Sequence, residues 1–339
     1  MRLALATPLL EVKGGLERVI FKIAKRYDAS IYCIRYSPEN TFDEFRGLDV
    51  HIAPPSVLSR FPIGKRVIGA IEAADYFYNT RLENYDLVTA FQAPSEFIRN
   101  KNRPVIWYCN SPNREAFDLY EWRMKRRGAI SKAIFWTSIQ AFKHFEFKVV
   151  PEIEYIFANS INAQKKVKKY LNRESEVLYL AVDEEKFYCR DYERFFFYPS
   201  RLVPEKDFEY VIEAFKLFAS KVPGWKLVLA GSLSERPEHQ AYLKKLKSLC
   251  DASITIETNI SEERLLDLYS RAYAVMYAAI NEDFGLVPLE AMASSKPCIA
   301  KNEGGPKETI SASVDGFLSD NPADMARKME ILVNDPELC

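Results

Sequence analysis

Two glutamates, Glu282 and Glu290, stand eight positions apart in the segment NEDFGLVPLEAMASSKPCIA, residues 281–300. Gly285 lies between them and lets the backbone approach a ligand closely, while Pro288 suits the first position of a helix. We therefore place Glu282 in a loop after a strand and Glu290 in the first turn of the next helix. Such a corner offers carboxylates to hydroxyl groups and free amides to an anion. Alternatively, it is an ordinary loop–helix junction with a capping glutamate.

Two further segments combine glycines or cations with the start of a helix. NEGGPKET repeats the corner, with Gly304 and Gly305 before a proline that opens a helix. In PSRLVPEKDF, Arg201 follows a strand and Lys206 lies in the loop before the next helix. Arginine holds phosphate through two hydrogen bonds and lysine adds a point charge, so the pair suits a phosphate group. The alternative is two solvated surface charges.

A glycine pair also occurs near the N-terminus, where Gly14 and Gly15 separate the strand-like RLALATP from the helical LERVIFKIAKRY. The absence of GxGxxG argues against a dinucleotide site. Strands and helices alternate along the whole chain, and the alternation restarts near residues 185–195. We predict two doubly wound, Rossmann-like α/β domains with parallel sheets, residues 1–185 and 186–339. Ligands bind beyond the carboxyl ends of such strands, so the predicted site is the central cleft that both domains face.

Composition excludes several classes of function. The 47 lysines and arginines balance the 47 aspartates and glutamates, so no global field selects nucleic acid as a partner. Six cysteines without CxxC spacing and three scattered histidines argue against a disulfide framework and a metal centre. The start MRLALATPLL is too short for a signal peptide, and no uncharged apolar run reaches the length of a membrane span. These features predict a cytoplasmic protein without a metal.

In order along the chain, the blocks KGGLERVIFKIA, YCNSPNREAFDLY, FANSINAQKKVKKYL, VDEEKF, PSRLVPEKDF and NEDFGLVPLEAMA resemble the retaining, GT-B-fold glycosyltransferases of family 4, or glycosyl transferases group 1. The resemblance implies an enzyme that moves a hexose of the mannose or glucose type from a UDP- or GDP-sugar to a lipid-linked or cell-surface glycan. It implies an acceptor-side N-terminal domain, a C-terminal domain that binds the nucleotide-sugar, and no cofactor or metal. The absence of a DxD triplet also argues against the metal-dependent GT-A class.

The resemblance implies roles for the matching residues. Arg201 and Lys206 would neutralise the diphosphate leaving group, and Glu282 would hold hydroxyls of the donor sugar; these three are the predicted catalytic residues. Glu290 would accept hydrogen bonds from the ribose, and a front-face route would need no protein nucleophile. Backbone amides and glycines complete the predicted donor-binding set, which comprises Gly14, Gly15, Asn110, Phe284, Gly285, Leu286, Val287, Glu290, Gly304 and Gly305.

The chain departs from the family pattern at three places, whereas Arg114 keeps the polar character of its block. Asn110 stands where many relatives carry a histidine that contacts the donor sugar, so the sugar is left open, although an amide still donates and accepts. Thr258 replaces a common glycine near the base, which leaves the nucleotide open. Arg114 either touches the acceptor or is a surface arginine. The sequence stops at NDPELC, where relatives continue through a helix that crosses back to the first domain, as in a shortened chain or a family variant.

The segment WRMKRRGAISKAIFWTSIQAFKHF, residues 122–145, contains many aromatic and basic residues and no acid. It predicts peripheral contact with anionic lipid at the inner face of the cell membrane, or else a buried helix with a solvated basic loop. Two other functions stay open. A nucleotide-sugar epimerase on the same fold would need acid–base groups in the cleft, and a non-catalytic donor-binding subunit would be favoured by loss of Arg201, Lys206 or Glu282.

Overall fold

A computed structural model describes residues 1–12, 14–55 and 65–335 of the chain. The chain divides into two units, one comprising Met1–Leu180 and the other beginning at Ala181. Each unit contains its own parallel sheet and its own hydrophobic core. The alternation of strands and helices seen in the sequence is therefore present in both.

The first unit contains a seven-stranded parallel sheet in which β1, an interior strand, is entirely buried. Short apolar strands of this kind form because both faces of the sheet are covered. The strand order is β5-β3-β1-β6-β7-β8-β9, and β2 pairs separately with β4. The strands are β1 (Leu3–Ala6), β2 (Leu9–Leu10), β3 (Ser30–Cys33), β4 (Arg35–Tyr36), β5 (Val50–Ile52), β6 (Leu87–Ala90), β7 (Val105–Cys109), β8 (Tyr155–Ala158) and β9 (Glu176–Val177).

Helices of the first unit follow the apolar periodicity of the sequence. In the first of them, Ile20 and Ala24 are buried on one face, and the helix ends at Asp28, which adopts the left-handed conformation with φ 50°. A short 3-10 helix, Ser95–Asn100, packs against the longest helix. The helices are α1 (Gly15–Tyr27), α2 (Lys65–Asn79), α3 (Tyr120–Lys125), α4 (Ala129–Val149) and α5 (Ile161–Leu171).

The second unit contains a six-stranded parallel sheet in the order β12-β11-β10-β13-β14-β15. Its core is rich in aromatic residues, and Phe196, Phe215 and Phe218 pack with one another. The strands are β10 (Phe195–Pro199), β11 (Lys226–Gly231), β12 (Ile254–Thr258), β13 (Ala274–Tyr277), β14 (Cys298–Lys301) and β15 (Gly316–Ser319). The helices are α6 (Phe208–Ala219), α7 (Pro237–Leu249), α8 (Glu262–Arg271), α9 (Val287–Ala293), α10 (Pro306–Thr309) and α11 (Pro322–Asn334).

Strand order in the second unit determines which loops meet. Strand β13 lies between β10 and β14, so the loops that leave these three strands begin at the same edge of the sheet. Those loops carry Arg201 and Lys206, Glu282, and the Gly304-Gly305 pair, respectively. Segments that are far apart in sequence are thereby brought together at the carboxyl ends of parallel strands, where α/β folds bind ligands.

Candidate functional site

An ion pair joins two of the predicted site residues. Lys206 ends a 3-10 turn, Pro204–Lys206, and its ammonium group hydrogen-bonds a carboxylate oxygen of Glu282. Both side chains are largely buried, at 12% and 19% exposure. The loops are also joined through the backbone, since the amide of Ile280 donates to the carbonyl of Glu205 over 2.9 Å. Lys206, predicted to bind phosphate, and Glu282, predicted to bind the sugar, therefore contact each other directly.

Arg201 differs from Lys206 in its surroundings. Its side chain is exposed and forms no ion pair with a described residue. Its backbone position is fixed by Gly231 on the neighbouring strand, because a Cβ on Gly231 would overlap the carbonyl of Ser200. The guanidinium group thus projects from a rigid corner and is available to an anionic ligand.

Glu290 lies in the first turn of α9, as predicted, and accepts a hydrogen bond of 2.5 Å from the hydroxyl of Tyr269. Helix α9 begins one residue before the predicted Pro288, at Val287. Burial raises the pKa of the Glu290 carboxyl above its usual range, although the bond from Tyr269 opposes that shift. The tyrosine occupies one carboxylate oxygen, and the arrangement leaves the group capable of accepting from a second hydroxyl.

The glycines of the two corners meet protein atoms closely. Gly285 has φ 81°, and a Cβ there would lie 2.9 Å from the ring of Tyr277. Gly304 has φ 67°, and a Cβ on it or on Gly305 would overlap the carbonyl oxygen of Glu282 or of Phe284. The Gly305 amide also donates to the Glu282 carbonyl over 2.8 Å. The close packing of the loop at Gly304-Gly305 on the loop that contains Glu282 and Phe284 is therefore enough to require glycine at positions 304 and 305.

Backbone amides around the first corner are the groups predicted to bind the donor. Phe284 is buried, whereas the amides of Gly285, Leu286 and Val287 donate to no carbonyl of the described backbone. The helices that follow the two corners are short, with seven residues in α9 and four in α10. Hydrogen-bond donors at the first corner therefore come from the turn itself more than from a long helix.

In the first unit, Gly14 precedes α1 and Gly15 is its first residue. The buried Glu17 carboxylate bends back over this turn, so that a Cβ on Gly14 would lie 2.5 Å from its Oε2. An acidic side chain at a helix N-terminus is favourable because it faces the positive end of the helix dipole. In the structure, the predicted phosphate loop thus faces a carboxylate of its own helix.

Asn110 directly follows β7, and its amide oxygen accepts a long hydrogen bond of 3.4 Å from Asn159, which follows β8. Among the described residues, the amide oxygen of Asn159 and the hydroxyl of Ser111 are buried and have no hydrogen-bond partner. Arg114, the candidate for acceptor contact, binds the carboxylate of Asp118 at 3.2 Å. Buried polar atoms and an arginine that pairs with Asp118 therefore follow the end of β7.

Comparison with known proteins supports the family that the sequence resembles. The model of "Glycosyl transferases group 1" matches residues 183–339. "Alpha-1,3/1,6-mannosyltransferase ALG2" of Dictyostelium discoideum is 25% identical, with 99% of this chain and 90% of the relative covered. The Mus musculus protein of the same name is 26% identical, with coverages of 96% and 86%. These similarities support a group 1 glycosyltransferase.

The fold of this glycosyltransferase is GT-B. Anabaena Alr3699/HepE, solved in complex with UDP-glucose, superimposes with a TM-score of 0.74 at 16% identity, over 100% of this chain and 91% of that chain. The predictions of the fold class, of the family and of a hexosyltransferase that uses a nucleotide-sugar donor and a glycan acceptor are confirmed. The roles assigned to individual residues stay predictions. In the described parts of the chain, no group of three or more histidine, cysteine, aspartate or glutamate residues could hold a metal ion.

Sequence reasoning missed three tyrosines of the glycosyltransferase site. Tyr269 binds Glu290, the hydroxyl of Tyr198 donates to the carbonyl of Lys206, and the hydroxyl of Tyr277 hydrogen-bonds Glu282. Tyr198 and Tyr277 lie in apolar strands and Tyr269 lies on the apolar face of α8, and an aromatic residue at such a position suggests core packing. A buried tyrosine hydroxyl requires a partner, and that requirement is the signal that could have indicated them.

Proposed function

We propose that this glycosyltransferase transfers mannose, with retention of configuration, from a UDP- or GDP-sugar to a lipid-linked glycan. Full-length similarity to proteins named alpha-1,3/1,6-mannosyltransferases supports the sugar. The observation that carries the reaction class is the meeting of Lys206, Glu282 and Glu290 at one sheet edge with the exposed Arg201. A lipid-linked acceptor is the part of the proposal that depends on the membrane-facing surface described below.

In the proposed complex, Arg201 and Lys206 bind the donor diphosphate and stabilise the charge that develops as it leaves. Two cations supply positive charge at this position, so the proposal requires no metal ion. Glu282 binds hydroxyls of the sugar and Glu290 binds the ribose, since ionised carboxylates only accept hydrogen bonds. The amides of Gly285, Leu286 and Val287 contribute further donors.

We assign the acceptor to residues 1–185 and the nucleotide-sugar to residues 186–339. In the first part, Asn110 donates to or accepts from the sugar, and Arg114 is the candidate contact to the acceptor. Gly14 and Gly15 are the candidate contacts of this part of the chain to the donor phosphates.

A lipid-facing surface is proposed for α3 and α4, which we call the α3–α4 surface. Helix α4 is not a buried helix, since Ile130 is 81% exposed, Ile134 53% and Trp136 52%. Its residues include a single acid, Glu146, which is buried. Exposed apolar area of this kind marks an interaction surface. Among the residues that the structure describes, no helix is long and apolar enough to span a membrane.

Basic residues at the start of the α3–α4 surface support an anionic lipid as its partner. Lys125, Arg126 and Lys132 are exposed, and the Arg126 guanidinium lies 3.7 Å from the ring centroid of Trp122. Apolar side chains flanked by cations match the composition of interfacial segments, in which each basic residue near the surface contributes about 1 kcal/mol. We propose that the enzyme acts at the cytoplasmic face of a membrane, where anionic lipids are concentrated.

Donor binding tests the function. Thermal-shift and calorimetric titration of the full chain with GDP-mannose, UDP-glucose and ADP-glucose should show binding of a UDP- or GDP-sugar, and a ligand at a hundred times its Kd should stabilise the protein by about 2.7 kcal/mol. Glu290→Ala should weaken that affinity about ten- to hundredfold, because a hydrogen bond to a charged group is lost. Failure of every nucleotide-sugar to bind the wild-type chain would contradict the proposal.

Products distinguish the alternatives. Incubation of the bound donor with a lipid-linked glycan should yield a mannosylated product of retained configuration, detected by mass spectrometry and NMR. Conversion of the donor to its epimer without acceptor would identify an epimerase instead. If the intact chain binds the donor on membranes but transfers no sugar to any glycan, a non-catalytic subunit is favoured.

Liposome flotation tests the α3–α4 surface. The wild-type chain should float with vesicles that contain anionic phosphatidylserine and should float less at high salt, since charge attraction is screened. The double variant Ile130→Ser/Trp136→Ser should lose flotation, whereas Leu217→Ser, at an exposed apolar site of the second unit, should not. Equal flotation of both variants would contradict the proposed lipid-binding role of this surface. So would no flotation of the wild type with vesicles that contain or lack phosphatidylserine.

A further inference from the structure

Tyr277, the last residue of β13, contacts three parts of the proposed donor site. It is 2% exposed, and its hydroxyl hydrogen-bonds the Glu282 carboxylate. Its ring lies directly beneath the turn at Gly285, and the Lys206 ammonium is 5.7 Å from the ring centroid. A single buried side chain therefore supports the carboxylate, the glycine turn and the cation.

A second buried tyrosine, Tyr198, contacts the backbone of Lys206. The hydroxyl of Tyr198 donates to the carbonyl of Lys206, and its ring meets that of Tyr277 edge to face, with centroids 6.2 Å apart and planes at 84°. Both rings are almost completely buried in the same core. The tyrosine pair thus fixes the main chain of Lys206 from one side and the carboxylate of Glu282 from the other.

Binding of a diphosphate changes the charges around Glu282. Lys206 forms an ion pair with Glu282 in the structure, and in the proposed function the same ammonium also binds the diphosphate. When Lys206 turns towards phosphate, the largely buried carboxylate loses this ion pair, which is unfavourable for a charge removed from water. The Tyr277 hydroxyl stays in place because its ring is packed. Burial holds its pKa well above the usual range, so it remains a proton donor.

We propose that Tyr277 is a positioning residue of the transfer reaction, which holds the Glu282 carboxylate for the donor sugar while Lys206 binds the diphosphate. This inference rests on the proposed function. It goes further by separating two contributions: Lys206 responds to the phosphates, whereas Tyr277 acts through Glu282 on the sugar alone. Nucleotide without sugar should therefore not depend on the Tyr277 hydroxyl.

Tyr277→Phe separates these contributions because it removes the hydroxyl and keeps the ring beneath Gly285. Calorimetry should show an unchanged Kd for free UDP and GDP, and a Kd for the bound nucleotide-sugar, GDP-mannose or UDP-glucose, that rises about ten- to hundredfold. The matched control is Tyr273→Phe, which removes a hydroxyl that donates to the carbonyl of Leu332 over 2.8 Å in the same core. That variant should bind both ligands like the wild type.

A double-mutant cycle tests whether Tyr277 acts through Glu282. The combination Tyr277→Phe/Glu282→Gln should be no worse than Glu282→Gln alone, because contacting residues are not additive when one acts through the other. Additive losses, or equal weakening of free nucleotide and nucleotide-sugar by Tyr277→Phe, would overturn the role of Tyr277. Absence of nucleotide-sugar binding by the wild type would instead overturn the proposed function, and this role with it.

Discussion

Replacing Lys206 with alanine is expected to lower kcat/KM for sugar transfer by about 10²- to 10³-fold, the usual loss when one preorganised donor to a developing negative charge is removed. The ammonium is held at the edge of the sheet by its ion pair with Glu282 and by the bond from Tyr198 to its backbone. Its removal also breaks the ion pair with Glu282. Initial rates with saturating acceptor and varied nucleotide-sugar would measure the loss.

Lys221→Ala is the matched control for this prediction. Lys221 also forms a lysine–glutamate ion pair, 2.7 Å from Glu330, but it is 65% exposed and lies two residues after the end of α6. An exposed pair contributes about 0–1 kcal/mol to stability, so kcat/KM should not change. Equal activities of the Lys206 and Lys221 variants, with both folded by circular dichroism, would remove Lys206 from the reaction.

The second large effect is expected in the first unit, where two carboxyl groups are completely buried against each other. Glu96 lies in the 3-10 helix Ser95–Asn100 and Glu146 lies in α4, and all four of their carboxyl oxygens are buried and have no hydrogen-bond partner in the described structure. Two carboxyls can bond each other only when at least one carries a proton. Burial raises the pKa of Glu96 to about 7 and that of Glu146 well above its usual range.

The free energy of unfolding should therefore fall as pH rises from about 4.5 through 7, since the unfolded chain releases these protons at lower pH than the native chain does. The shift of Glu96 alone corresponds to about 3 kcal/mol at pH 8. Glu96→Gln should recover an amount on the order of 3 kcal/mol at pH 8 and reduce the pH dependence, because an amide donates to Glu146 without a titrating proton, while the buried Glu146 still titrates.

Urea unfolding of the full chain at pH 5 and pH 8, followed by hydrogen exchange in peptides that contain residues 95–100 and 140–150, would measure this effect. Glu121→Gln is the control, since it removes the same charge from an exposed position on α3. If Glu96→Gln and Glu121→Gln both showed the same dependence of unfolding free energy on pH as the wild type, the Glu96–Glu146 pair would not cause that dependence.

Much of the fold could be predicted from the sequence because strand and helix periods are local properties. The restart of the alternation after residue 185 and the strand-to-helix corner around Glu282 are both present. Helix α9 begins at Val287, one residue before Pro288, and such single-residue differences are usual at helix ends. The segment 122–145 is divided by Gly128 into α3 and α4, and the exposure of α4 depended on packing that periodicity could not specify.

The candidate site was predictable only in part, for a physical reason. Glu282 and Lys206 were found by residue type and spacing, but their ion pair joins side chains 76 positions apart and depends on the order β10-β13-β14. Tyr198 and Tyr277 occur in apolar strands, so their hydroxyl partners were visible only after folding. Local patterns identify groups that can do chemistry, whereas partners depend on which strands are neighbours.

The contact between the two glycine corners has a consequence for how sugar preference can change in evolution. The joint consists of main-chain atoms, because the Gly305 amide meets the Glu282 carbonyl and both glycines pack on backbone. An exchange of the side chain at position 282 leaves these atoms where they are, while an exchange of either glycine displaces the whole corner. The main chain therefore fixes where residue 282 lies, while its side chain determines which groups it can bind. New sugars can be accommodated by a change of that side chain on an unchanged main chain.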